Sequence, residues 1–220
     1  MEVHAIHCLN KHYYKNEVEQ DFRNRHRIFV EEKRWENLRR EDGRERDEFD
    51  GPDTTHLLLL ENGAVIGGLR LTPLDRPNLL LKHFGNLVQR PLPDAIQSGA
   101  DWTRFYVTER RFQKMGPSSP AGALYCAAME YAVLQGWTYL TFVSKPAMVE
   151  ILVSMGWKVT PLGMPRLIEG EMTLAGAIAV DEGALFQARM FNGQRDSLLR
   201  DRMVEDAAPQ WASERLEVVH

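Results

Sequence analysis

The sequence predicts an α/β fold. Strand-like and helix-like segments alternate along nearly the whole chain. Asn62-Gly63 stands between two apolar β-like runs, and both residues tolerate the positive φ of a tight hairpin. No internal repeat or low-complexity linker divides the 220 residues, a length that buries a full core. The reading is one domain over 1–220, with a polar, partly helical tail from about 181 onward.

The elements follow in order. Residues 3–7 form a short first strand. Residues 13–32 read as a helix, with Val18, Phe22, Phe29 and Val30 near helical spacing and Glu17, Glu19, Asp21 and three arginines on other faces. The stretch 36–53 is too charged for core and contains Gly43, Gly51 and Pro52, so it reads as a loop; at that length it is a candidate functional one. Residues 55–61 and 64–72 are the hairpin strands. Residues 79–88 form a short helix, 91–100 are irregular, and 102–108 form a strand. Ser119-Pro120 has the pattern of an N-cap followed by proline at the first helical position, opening a helix over 121–135 that stops at Gly136. A strand over 139–143, a helix over 147–155 ending at Gly156, and strands over 157–161 and 173–180 complete the pattern.

Composition excludes several classes. Apolar residues are 44% and charged residues 26%, the profile of a globular protein, and the net charge of −4 lacks the basic surplus of a nucleic-acid or anionic-membrane binder. Cys8 and Cys126 show no metal or disulfide spacing, so no metal site and no disulfide framework is expected. The first residues lack the apolar core of a signal peptide, and no stretch approaches the length of a membrane span, so the expected location is the cytoplasm.

Several charged residues stand beside apolar strands. Arg70 follows Gly67-Gly68-Leu69, Arg104 lies between Trp102 and Phe105, and Asp47 and Asp50 flank Phe49. Each alone fits a solvated side chain. In order they read Arg25-x-x-x-Phe29, Trp35, Asp47-Glu48-Phe49-Asp50, Gly-Leu-Arg70-Leu-Thr-Pro and Asp101-Trp-Thr-Arg104-Phe, then Leu74-Asp75-Arg76-Pro77-Asn78, Thr141-Phe-Val-Ser144 and Gly156-Trp157. This joint pattern, over roughly residues 1–180, resembles the autoinducer synthases that make acyl-homoserine lactones. That family usually carries glutamate where this chain has Asp101, a carboxylate one methylene shorter.

The resemblance implies a single GNAT-like domain, a twisted mixed β-sheet flanked by helices. It implies an acyltransferase that moves an acyl group from an acyl thioester, on acyl carrier protein or as acyl-CoA, to the amine of S-adenosylmethionine. Lactonisation then releases methylthioadenosine. S-adenosylmethionine is a substrate, and no tightly bound cofactor is expected.

By matching positions, Arg25, Phe29, Trp35, Asp47, Asp50, Arg70 and Arg104 bind S-adenosylmethionine: guanidinium groups meet carboxylates bidentately, and the aromatics wall the cationic sulfonium. Asp47, Asp101, Arg104 and Arg70 form the catalytic set, with Asp101 orienting Arg104 or taking the amine proton. Phe105, Thr141, Val143, Met148 and Leu152 line the acyl chain, and the Thr141 hydroxyl is placed to meet a 3-oxo group. Arg110, Arg111 and Lys114 offer a basic patch to an acidic carrier protein. Two other readings compete. A general CoA-dependent GNAT-type N-acyltransferase would carry a Gly-rich phosphate loop, which residues 111–122 match poorly, and a non-catalytic ligand-binding module would bind without turnover.

Overall fold

The computed structural model describes residues 1–90, 98–109 and 119–202. A mixed sheet of nine strands organises it, in the order β6-β8-β5-β4-β3-β2-β1-β9, with β7 pairing on β8. The strands are β1 (Glu2–Ile6), β2 (Thr55–Glu61), β3 (Ala64–Pro73), β4 (Gly99–Val107), β5 (Tyr139–Ser144), β6 (Val159–Pro161), β7 (Arg166–Ile168), β8 (Glu171–Ala179) and β9 (Leu199–Arg200). The helices are α1 (Lys15–Arg25), α2 (Leu79–His83), α3 (Pro120–Leu134), α4 (Pro146–Ser154) and α5 (Glu182–Phe191). The hairpin at Asn62-Gly63 forms as expected, both residues having positive φ. Ser119 caps α3 by accepting the Gly122 N–H, and Gly136 ends that helix with φ +68°.

The sheet is covered on both faces. Alternate residues of β1 to β3 (Val3, Ala5, Leu57, Leu59, Leu69, Leu71) pack under α3, α4 and α5 with Leu124, Ala128, Leu152 and Ala188. Their neighbours Ile6, Leu58 and Val65 pack under α1 with Val18 and Tyr14. This double covering explains the unbroken Leu57–Leu60 run, which has no polar face to show. Gly67 and Gly68 serve the same crowding. A Cβ on Gly67 would stand 3.0 Å from Leu124, and one on Gly68 2.9 Å from Leu58 and 3.1 Å from the Tyr106 ring.

Several elements differ from the sequence reading. The helix expected over 13–32 is α-helical only to Arg25; His26–Glu32 widens into a π-helix. The short strands β7 and β9 were not anticipated, because two or three residues of pairing leave no periodic signal. The C-terminal helix α5 packs by Ala184 and Ala188 into the main core, and the Trp157 indole donates to the Ala184 carbonyl.

Two features of β4 position the site. Its parallel pairing with β5 runs only from Gly99↔Tyr139 to Trp102↔Phe142, so the rest of β4 and the end of β5 part company. Against β3, two residues of β4, Arg104 and Phe105, stand opposite the single Leu69 in a β-bulge, with Arg104 at φ +55°. The bulge turns both Thr103 and Arg104 to the α1 face, where strict alternation would send Arg104 under α3.

Candidate active site

On the α1 face, three buried arginines meet four carboxylates. α1 supplies Asp21 and Arg25, four apart on one helix face. The loop before β2 supplies Glu45, Asp47 and Asp50, anchored to α1 by the Glu45 N–H donating to the Phe22 carbonyl at 3.0 Å. β3 supplies Arg70 and the β4 bulge supplies Arg104.

The partners are specific. Arg25 grips Asp50 bidentately at 2.7 and 2.9 Å and donates its Nε to Glu45 at 2.7 Å. Arg104 takes both oxygens of Glu45 at 2.9 Å and reaches Asp47 at 2.8 Å. Arg70 forks onto Asp47, lies 3.1 Å from Asp50 and donates its Nε to the Thr103 hydroxyl at 2.9 Å. The Asp47 N–H closes the turn onto Asp50 at 2.8 Å. Arg25 and Arg70 are each 1% exposed, while the Asp47 side chain keeps 18% of its surface, so this carboxylate is the network's opening to solvent. Burial opposes ionisation of Asp50, but Arg25 and Arg70 outweigh it and hold its carboxyl far below the ordinary range; Arg25 and Arg104 do the same for Glu45, more mildly.

The sequence reading named five of these seven residues and missed Glu45 and Asp21. It also missed His56, whose Nδ1 lies 3.2 Å from Asp21, and Tyr106, whose hydroxyl donates to Asp21 at 2.9 Å. A signal for His56 existed: it stands on β2 directly opposite Arg70 in register, a polar residue opening a run covered on both faces. Glu45 lay among alternating charges, Arg44-Glu45-Arg46-Asp47, where no pattern separates buried from solvated residues.

Asp101 sits apart from the arginines. Its oxygens accept the Leu80 N–H at 3.0 Å and the Thr141 hydroxyl at 3.1 Å across the β4–β5 pair. Arg104 is therefore held by Glu45 and Asp47, and the expected orienting bond from Asp101 is replaced by these contacts. Burial pushes the Asp101 carboxyl up to about 6, the two hydrogen bonds and the distant arginines only partly offsetting desolvation. A carboxylate tuned this way accepts a proton more readily than an exposed one. The Thr141 hydroxyl, fully buried, is spent on Asp101 in this structure.

Phe29 and Trp35 stack with centroids 5.3 Å apart and planes within 11°. Six residues apart, they would point about 120° apart around an α-helix. The π-helix and Arg34 at φ +63° turn the chain so that Trp35 returns over Phe29, its N–H bonded to the Phe29 carbonyl at 3.0 Å. The Arg104 guanidinium carbon lies 5.8 Å from the Phe29 ring, which joins the aromatic wall to the charged network.

The expected acyl-lining residues divide between the faces. Phe105, Met148 and Leu152 join the α3-side core, where Phe105 stacks on Tyr125 at 4.8 Å and the Tyr125 hydroxyl contacts the Met148 sulfur at 3.3 Å. Thr141 and Val143 point to the other face, Val143 packing against the Leu80 and Leu162 cluster. Trp102 meets Phe105 and Tyr125 edge to face, and Trp157 meets Trp102 and Tyr125 in the same way; the expected acyl-lining set included none of these three rings. Arg110, Arg111 and Lys114 lie outside the described residues. No helix among the described residues is long and apolar enough to cross a membrane.

Comparison with known proteins follows the same lines. A family model described as autoinducer synthase matches residues 10–187. An isovaleryl-homoserine lactone synthase of Bradyrhizobium diazoefficiens is 33% identical over 218 residues, covering 99% of this chain and 92% of that protein. An acyl-homoserine-lactone synthase of Pantoea stewartii is 28% identical over 70% of this chain and 72% of its own. Among solved structures, the CoA-dependent acyl-homoserine lactone synthase BjaI, determined with SAM and isopentyl-CoA, superposes with a TM-score of 0.83 at 32% identity over 99% of both chains. The CoA-dependent synthase MesI gives 0.79 at 29% identity over 90% of this chain and 98% of its own.

Proposed function

This chain belongs to the autoinducer synthase family, and we propose that it transfers a short or branched acyl group from acyl-coenzyme A to the amine of S-adenosylmethionine. The observation that carries this reading is the buried arginine–carboxylate network, set between a stacked aromatic pair and a carboxylate raised to about 6 where β4 and β5 diverge. The choice of coenzyme A over a carrier protein rests on the two similar CoA-dependent synthases. The preference for a small acyl group rests on the rings of Trp102, Phe105, Tyr125 and Trp157, which crowd the α3 side of that divergence, and on the isovaleryl relative.

The chemistry assigns the roles. The reacting amine must be neutral, and free α-amino groups titrate near ~8, so proton transfer to Asp101, directly or through water, costs little. The nitrogen attacks the thioester carbon, and the oxyanion takes donors from backbone N–H groups of β4 left unpaired by β5. The carbon–sulfur bond breaks, and the coenzyme A thiolate leaves with a proton. Arg70 and Arg104, fixed by Asp47, orient the methionyl carboxylate; Phe29 and Trp35 face the sulfonium. One carboxylate oxygen then attacks the γ-carbon, the sulfonium bond to that carbon breaks, and neutral methylthioadenosine departs. The sulfonium is already a good leaving group, so the protein's contribution to ring closure is conformational.

The test is a purified assay with S-adenosylmethionine and a panel of thioesters: isovaleryl-, hexanoyl-, 3-oxohexanoyl- and dodecanoyl-CoA, and the same acyl groups on acyl carrier protein. Mass spectrometry is expected to find isovaleryl- or other short-chain homoserine lactone with equimolar methylthioadenosine. Turnover with carrier-bound donors alone would refute the donor assignment; no lactone from any donor would refute the activity.

A further inference from the structure

The aromatic wall assigned to the sulfonium already faces a cation. Lys33 closes the π-helical segment, and its N–H bonds the Ile28 carbonyl at 3.0 Å. From that anchor its ammonium lies 4.8 Å from the Phe29 centroid and 5.2 Å from the Trp35 centroid. Among the described residues no carboxylate forms an ion pair with it, so the two rings are its partners. The residue as a whole is exposed. Desolvation and then Lys145 weaken its hold on the proton; Glu171 opposes them, Arg104 adds to the fall, Glu32 opposes least, and the pKa falls below the ordinary lysine value. Lys145 is paired with Glu171 at 2.6 Å, and Arg104 with Glu45 and Asp47, so those carboxylates are committed to other cations.

We infer that Lys33 contests the sulfonium position and thereby sets how the pocket discriminates between its cationic substrate and the neutral thioether it releases. The inference rests on the proposed placement of S-adenosylmethionine against Phe29 and Trp35. An ammonium and a sulfonium cannot share one aromatic face, because each is attracted to the same ring electrons and repels the other. Entry of S-adenosylmethionine therefore displaces Lys33 along its solvent-exposed stem. After ring closure the sulfur is uncharged, and the ammonium regains the rings beside methylthioadenosine without repulsion. Lys33 thus weakens binding of the sulfonium while leaving that of the thioether unchanged.

Calorimetric titration of the full chain with S-adenosylmethionine and, separately, methylthioadenosine tests this with three substitutions. Lys33→Met removes the charge at nearly constant length and is expected to tighten S-adenosylmethionine about tenfold, while methylthioadenosine shifts by less than about twofold. Lys33→Arg keeps a cation and is expected to retain the wild-type values. Unchanged or weaker S-adenosylmethionine binding in Lys33→Met overturns the inference, as does an equal shift for both ligands, which would mark a steric effect. Trp35→Leu separates the inference from the reading beneath it. If Trp35→Leu leaves S-adenosylmethionine affinity intact, the aromatic placement fails; if it weakens binding while Lys33→Met does not tighten it, only the Lys33 inference fails.

Discussion

Replacing Asp101 by asparagine is expected to make the protein more stable at neutral pH while removing most of its activity. In the fold this carboxyl keeps its proton up to about 6, against 3.8 for the ordinary group. Between those values the folded state binds more protons than the unfolded one, so the wild-type protein loses stability as pH rises through that window. A shift of about two units at ~1.4 kcal/mol per unit makes the cost of ionising Asp101 about 3 kcal/mol by pH 7. Asparagine escapes this cost. Its oxygen can still accept the Leu80 N–H, and its amide can donate to Thr141 once the hydroxyl turns to accept, so both observed contacts survive. Urea denaturation of the two proteins from pH 4 to pH 8, followed by circular dichroism, is expected to show curves that coincide near pH 4 and separate by about 3 kcal/mol above pH 6. Turnover is expected to fall by about 10²-fold or more, and the wild-type kcat/KM to show an acid limb that the variant lacks. A variant no more stable than wild type at pH 7, or one with full activity, would refute the assignment of Asp101 as a buried base.

Asp47→Asn tests the network with least risk to the fold, because this carboxylate is its most exposed member. Turnover is expected to fall about 10²-fold with an unchanged circular dichroism spectrum, whereas Arg70→Ala leaves Asp47 to Arg104 alone and Asp50 to Arg25 alone, one buried cation short, and is expected to cost about 3 kcal/mol in denaturation. Thr141→Val removes a donor that favours ionised Asp101, so the acid limb of kcat/KM is expected to move to higher pH. If the hydroxyl also recognises 3-oxo chains, the same variant lowers the 3-oxo share of product in a mixed-donor assay; an unchanged profile and product mixture would remove both roles. Gly68→Ala brings a methyl within 2.9 Å of Leu58 and is expected to destabilise the fold by about 1–3 kcal/mol, read by thermal denaturation.

What the sequence made legible follows from the range of each signal. Caps, hairpin turns and apolar runs are local, so α3, the β2–β3 hairpin and β5 stand where expected. Arg25, Asp47, Asp50, Arg70 and Arg104 were identified together because their order along the chain matches a family pattern, and the structure brings all five into contact. Glu45 and Asp21 escaped because burial of a charge in a charged segment is decided by residues 20 to 85 positions away. The acyl-lining set was drawn from β4, β5 and α4. Strand alternation sends Thr141 and Val143 to one face and Phe105 to the other, and no reading of apolar character separates them.

The bulge at Arg104 shows why local rules failed where the site is built. An ordinary strand cannot present Thr103 and Arg104 to the same face, yet Arg70 needs the Thr103 hydroxyl and Glu45 needs the Arg104 guanidinium. One extra residue in β4, with a left-handed backbone that a non-glycine residue adopts at a cost of about 1–3 kcal/mol, meets both demands. It also returns Phe105 to the α3 side, among the rings that crowd the divergence from β5. A single backbone irregularity thus sets the charged face and the apolar face in their relative positions. Straightening β4 without removing a residue would turn every later side chain of the strand to the wrong face, and removing Arg104 would restore alternation only by losing the guanidinium that Glu45 and Asp47 hold. The strain is held in place by the ion pairs it makes possible: three charge-assisted bonds from Arg104 fix a conformation the bare backbone disfavours.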